Sequence, residues 1–192
     1  MISTKYIVNL LICASLALLT SCQEYTVSEY CPYKANMAYH GDLTPLQPLN
    51  DALASDNTFA IVYISKQLGT TYDLTAQLYG KSAETRTISI ASQVLPTLGL
   101  ENTKGFFIGK TSMRSDNPYV FDRICPNCYL EYRNTKYVLS FENETTVKCG
   151  TCKRVYSLLN GGLVTAGDNG NKLFRYRVTG YTADPPSITI FQ

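Results

Sequence analysis

Two short runs of the chain, "RICPNCYLEY" (residues 123–132) and "VKCGTCKRVY" (residues 147–156), each carry a Cys-x-x-Cys pair. Each pair ties its two thiols to one local turn, and any fold must then decide whether the turns meet. The chemical reason for them to meet is strong. A tight turn at a hairpin tip points both sulfurs the same way, so two facing turns make a tetrahedral four-sulfur cage. Zinc accepts such a cage with bonds of about 2.3 Å, and four thiolates leave no open position for a substrate. Twenty residues, 129–148, separate the pairs, at the edge of the zinc-ribbon spacing. Pro126 and Gly150 suit turns, and Lys148, Lys153 and Arg154 could offset thiolate charge. The candidate ligands are Cys125, Cys128, Cys149 and Cys152.

The N-terminus decides where this chemistry takes place. "MISTKYIVNLLICASLALLTSC" has a basic Lys5 and then an apolar run from Tyr6 to Leu19. The run is shorter than the roughly 20 residues a membrane-spanning helix needs, and it reads as a secretory signal. Its end, Leu19-Thr20-Ser21-Cys22, resembles the lipobox of bacterial lipoproteins. That resemblance implies a signal peptide over residues 1–21, a lipid on Cys22 and a tether over 22–36. It also implies a cell-envelope protein whose partner is the membrane, held there by its acyl chains, and Gln23 points to the outer membrane. Of seven cysteines, Cys13 then leaves with the signal and Cys22 carries lipid. Cys31 is read as an ordinary free thiol. The two pairs remain.

Residues 37–192 are expected to form one domain, with a metal-loop subdomain over about 122–165. Fifteen Tyr, no Trp and many β-branched residues lean towards strands. "NTFAIVYIS", "TRTISI", "GFFIGK", "YVFDRI", "KYVLSF" and "SITIF" read as strands, and "KRVYSLLNGGLVTAG" as strand, turn, strand. "PLNDALAS" and "IASQVLPTLGL" supply at most a helical turn each. The expected class is therefore all-β, an antiparallel domain with a small zinc-ribbon-like two-loop subdomain. The net charge is +2 with basic residues scattered, which leaves a nucleic-acid partner no electrostatic footprint.

From about Gly105 to Ile190 the chain resembles the Rieske iron–sulfur domain. Tyr156, Gly161, Gly162, Gly167, Leu173, Tyr176 and Val178 carry the likeness, together with the approach "FDRICP". The resemblance implies a Rieske-like β-sandwich with its centre at the tips of two β-hairpin loops. The ligands depart from that family, which sets two thiolates on one iron and two imidazoles on the other. Asn127 stands at the first histidine position, Cys152 at the second, and Cys128 is an added thiol. The chain's single histidine, His40, lies far upstream. A Rieske cluster is excluded on ligand count, and a four-cysteine site replaces it.

Three occupants compete for that site. A signal without twin arginines sends the chain across the membrane unfolded, which disfavours a [2Fe–2S] cluster or a rubredoxin-like iron inserted beforehand. Zinc can be acquired after export and contributes folding energy outright, so it is favoured. Disulfides suit an oxidising compartment, and closed between the loops they would contribute roughly 3 kcal/mol. The sequence carries no hydrolase, kinase or nucleotide motif, and a non-enzymatic lipoprotein with a structural metal is the first expectation. An iron electron carrier with a redox partner is the second, and a disulfide-stapled surface protein with a protein partner the third. Thiol–disulfide exchange catalysis is disfavoured, because hairpin-tip pairs lack the helix N-terminus that activates a thiol. Tyr129, Tyr132 and Tyr137 are read as hairpin packing, and Asn143-Glu144-Thr145 as a turn.

Overall fold

A computed structural model describes residues 37–43, 45–66, 71–89, 104–112 and 117–191. The expected signal peptide 1–21, lipidated Cys22, the tether to residue 36, Cys31 and the helical turn around Pro96 lie outside the described residues.

Five strands form the central sheet: β2 (Phe59–Lys66), β3 (Thr71–Leu78), β4 (Glu84–Ser89), β5 (Phe106–Gly109) and β6 (Tyr119–Asp122). They are antiparallel in the order β4-β3-β2-β5-β6. Successive side chains of a strand point to opposite faces, and here both faces are covered. Ala60, Val62, Phe106, Ile108 and Val120 enter one hydrophobic core, whereas Phe59, Ile61, Phe107, Tyr119 and Phe121 enter a second. Double burial is why "FAIVYI" and "FFI" are unbroken apolar runs rather than alternating ones.

On the first face lie a helix, α1 (Gln47–Ala54), and a three-stranded sheet of β1 (Met37–His40), β12 (Pro186–Phe191) and β11 (Arg177–Ala183). Pro48, Leu49, Ala52 and Leu53 are the buried residues of α1, a single stripe at helical spacing. The Tyr181 hydroxyl donates to the Leu53 carbonyl at 2.6 Å and fastens β11 to the helix end.

On the second face lies a four-stranded antiparallel sheet, and a second helix, α2 (Pro126–Tyr132), packs Cys128 into this core and Tyr129 and Leu130 against the first. The sheet contains β7 (Leu139–Asn143), β8 (Thr146–Cys149), β9 (Val155–Ser157) and β10 (Leu163–Ala166), in the order β10-β9-β8-β7. Leu139, Val147, Tyr156, Leu158 and Leu173 fill this core with Cys125, Cys128 and Cys149. The Asn143 carboxamide accepts from the backbone N–H groups of Thr145 and Thr146, forming the expected turn between β7 and β8.

The all-β expectation is overturned by the two helices. The fold is mostly sheet, yet α1 has eight residues and α2 seven. Each begins with a proline in its first turn, where a missing N–H costs nothing and the fixed φ already suits a helix. "PLNDALAS" is thus a full helix rather than a single turn, and the Rieske-like sandwich class, stated as all-β, is corrected accordingly. Among the described residues no helix is long and apolar enough to cross a membrane.

Candidate metal centre

The first cysteine pair sits where β6 runs into α2. Cys125 is the N-cap of the helix, with its N–H donated to the Tyr137 carbonyl at 2.8 Å. Its own carbonyl accepts the first helical bond, from the Tyr129 N–H at 2.9 Å. Cys128 follows three residues later and is fully buried. Arg133, at φ 51°, closes the helix in the left-handed region. The expectation of two hairpin-tip pairs therefore fails for this one: Pro126 starts a helix rather than shaping a tight turn. With it fails the premise that neither pair has a helix N-terminus nearby.

The second pair is a hairpin tip, as expected. β8 and β9 pair up to Lys148 and Val155, and the chain reverses between them. The Cys149 N–H donates to the Arg154 carbonyl at 3.0 Å and the Lys153 N–H to the Cys149 carbonyl at 3.0 Å. Lys153 takes φ 62° to complete the reversal.

The two turns face each other across the second core. The sulfurs of Cys125, Cys128, Cys149 and Cys152 all lie within 4.8 Å of one another. Cys125 and Cys152 are 3.7 Å apart, as are Cys128 and Cys149. A regular tetrahedron with bonds of about 2.3 Å has sulfur–sulfur edges of about 3.8 Å, so the set fits one ion. A [2Fe–2S] cluster divides its thiolates between two bridged irons and pushes sulfurs on different irons beyond about 5 Å. The four sulfurs, within 4.8 Å of one another, lie closer to the one-ion spacing than to that one. All four cysteines are free, and 3.7 Å is far above the roughly 2.05 Å of a disulfide.

Burial works against negative sulfur at two of the four positions. Burial pushes the Cys125 thiol up to about 11, against a lowering hydrogen bond with Tyr156. Burial, and then the neighbouring Cys125, also raise Cys128. Cys152 moves the other way. Burial raises it too, but Arg154, through its backbone and side chain, and then Cys125 and Cys128 outweigh burial and bring it to about 7. Cys152 is also the only one of the four that is not fully enclosed. A divalent ion would supply positive charge and displace the thiol protons on binding. Of the three basic residues expected to help, Arg154 alone bonds a ligand, since Lys148 pairs with Glu142 at 3.0 Å and Lys153 turns to the Gly150 carbonyl.

A third loop, residues 168–171, is gripped from both turns. Asn127 donates to the Asn171 carbonyl and accepts from the Asn171 N–H, each at 2.9 Å. It also donates to the Tyr156 hydroxyl at 2.9 Å, and that hydroxyl lies 3.3 Å from the Cys125 sulfur. From the other turn Arg154 donates to the carbonyls of Asp168 at 2.9 Å and Asn169 at 3.2 Å. Sequence reading treated Asn127 only as the residue standing at a histidine position. It also passed over Asp122, which is fully buried behind the first pair. One carboxylate oxygen of Asp122 accepts from the Ile124 N–H and the other from the Tyr176 hydroxyl, both at 2.6 Å.

Elsewhere, Tyr129 packs edge-on against Phe174, and Tyr132 lies tilted against Tyr137. His40 lies on β1 opposite Ser187, outside the cysteine group. Comparison with protein-family models, with curated proteins and with solved structures finds no match to this chain.

Proposed function

We propose that the chain is a non-enzymatic protein whose second core is fastened by one structural metal ion, zinc, on Cys125, Cys128, Cys149 and Cys152. The observation that carries this is the mutual distance of the four sulfurs, at most 4.8 Å, which matches one tetrahedral ion. A complete four-thiolate shell leaves no position for a substrate, which favours structure over catalysis. The lipobox-like "LTSC" at residues 19–22 supports attachment of the domain to a bacterial envelope membrane through Cys22, on sequence grounds alone.

A second reading keeps the cage and replaces zinc by a single iron that exchanges electrons with a partner. It is favoured by the partial exposure of Cys152, which would bring one iron ligand near the surface. Metal analysis and an optical spectrum of reductively purified protein separate the two. One zinc per chain in a colourless protein is expected. One iron per chain with strong visible absorption would replace the structural reading by the electron-transfer one. No stoichiometric metal under metal-replete expression would sink both.

A further inference from the structure

We propose that the four-cysteine centre is a peroxide-responsive switch in which oxidation exchanges the metal for two crossed disulfides, Cys125–Cys152 and Cys128–Cys149. The pairing follows from the sulfur positions, and the metal-release arm rests on the single-metal reading above.

The two 3.7 Å contacts both run between the turns, and together they use all four cysteines without remainder. The bridges would close chain segments spanning 27 and 21 residues. Bridges within Cys-x-x-Cys would close only a few residues and restrict the unfolded chain far less. Crossed bridges also join the same two turns that the metal joins, so the second core keeps its staple in either state. The fold thus offers a metal-bound and an oxidised form with the same backbone held at the same place.

Access sets the order of events. Cys125, Cys128 and Cys149 are fully buried, whereas Cys152 is partly exposed beside Arg154. Cys152 thiolate attacks one peroxide oxygen, the O–O bond breaks, and a sulfenic acid forms as hydroxide leaves and takes a proton to become water. Cys125 thiolate then attacks that sulfur, the S–S bond forms, and the S–O bond breaks to release a second hydroxide, again protonated to water. Two thiolates lose two electrons to one peroxide. With two of its four ligands oxidised, the ion leaves, and a second peroxide oxidises Cys128 and Cys149 in the same way. Two peroxides are consumed, and four waters formed, per metal released.

Trypsin makes the pairing readable. It leaves Cys125 and Cys128 together on one peptide, 124–133, and Cys149 and Cys152 together on another, 149–153. Full-length metal-free protein is treated with hydrogen peroxide, alkylated and digested without reductant. The expected product is the two peptides joined, at least tenfold over unlinked forms. Separate peptides, each lighter by two hydrogens, or peptides bearing sulfinic or sulfonic acids, overturn the proposal. The double variants C125S/C152S and C128S/C149S should each still join the peptides, while C125S/C149S should do so at least tenfold less. Equal linkage in all three overturns the assigned pairing, and the wild-type digest decides the between-turn bridge even where a variant fails to fold.

Zinc-loaded protein with a chromogenic chelator completes the test. At the end point one zinc should be released and two peroxides consumed per chain, and retention of zinc after full peroxide consumption overturns the switch. Failure to load zinc at all would instead count against the proposed function, and the metal-free digest would still decide the disulfides.

Discussion

Asn127 occupies one of the two positions between the first pair of cysteines, and its carboxamide makes the contacts that a metal ligand there could not. It binds the Asn171 backbone at two points and the hydroxyl of Tyr156, which in turn touches the Cys125 sulfur. Outer groups of this kind typically contribute 10–100-fold to metal affinity. Asn127→Ala should therefore speed zinc transfer to a competing chelator by about 10–100-fold. Asn127→Asp, which keeps the acceptor for the Asn171 N–H but loses the donor, should fall between the two. An unchanged transfer rate in both would show that the third loop does not brace the centre. Gly170 lies in the same grip: a methyl group there would sit 2.5 Å from the Asn127 carboxamide oxygen and 2.9 Å from Arg154 Nε. Both side chains are already committed to neighbouring carbonyls, so neither yields without breaking hydrogen bonds. Gly170→Ala should cost about 1–3 kcal/mol, read as a lowered urea midpoint with unchanged slope.

At the scale of elements, the closing segment 173–176 is what turns two sheets into one support for the centre. The Asp122 N–H donates to the Phe174 carbonyl at 2.9 Å and the Tyr176 N–H to the Val120 carbonyl at 2.8 Å, so this segment runs along β6 up to the first cysteine turn. Asp122 then passes the restraint forward, holding Tyr176 with one oxygen and Ile124 with the other. Tyr176→Phe removes one hydrogen bond from a buried carboxylate and should cost about 1–3 kcal/mol, measurable by denaturant unfolding of the metal-loaded protein. A change within a few tenths would mean that other partners of Asp122 take over. How much of this could be read from the chain depends on what each element buries. β2, β5 and β6 announce themselves because both faces are buried and the apolar run is unbroken. β3, "TYDLTAQL", does not, since its core residues Leu74 and Ala76 alternate with polar ones, and Thr75 instead pairs with the Thr85 hydroxyl at 2.9 Å. α2 is hidden by its own chemistry: two of its first-turn features, Pro126 and Cys128, also fit a knuckle, and only proline at the first helical position marks the difference. Cysteine spacing made the ligands legible. The supports were not, because Asn127 and Asn171 are 44 residues apart and meet only through the fold.

At the scale of the whole molecule, the central sheet separates two cores of different dependence. The core around α1, β1 and β12 contains no cysteine among its described residues, whereas three of the four cysteines are buried members of the other and Cys152 packs against it. Without a metal, burial drives the Cys125 and Cys128 thiols towards the neutral form, and a neutral thiol is tolerated in a core as a small apolar group. The second core is therefore not torn open by charge. It would lose the link between α2 and the β8–β9 hairpin, and the small sheet beside that link is expected to be the first unit to open. Hydrogen exchange followed by mass spectrometry, with and without a chelator, should show this division. Amides of α2 and β7–β10 should lose at least about tenfold protection on chelation, while those of α1, β1, β12 and the inner strands β2 and β3 should keep theirs, because local opening draws on the least supported contacts. Equal loss across both faces would mean that the metal holds one cooperative unit. Equal retention would mean that packing of Tyr156, Leu158 and Leu173 against Phe107 and Phe121 suffices without it.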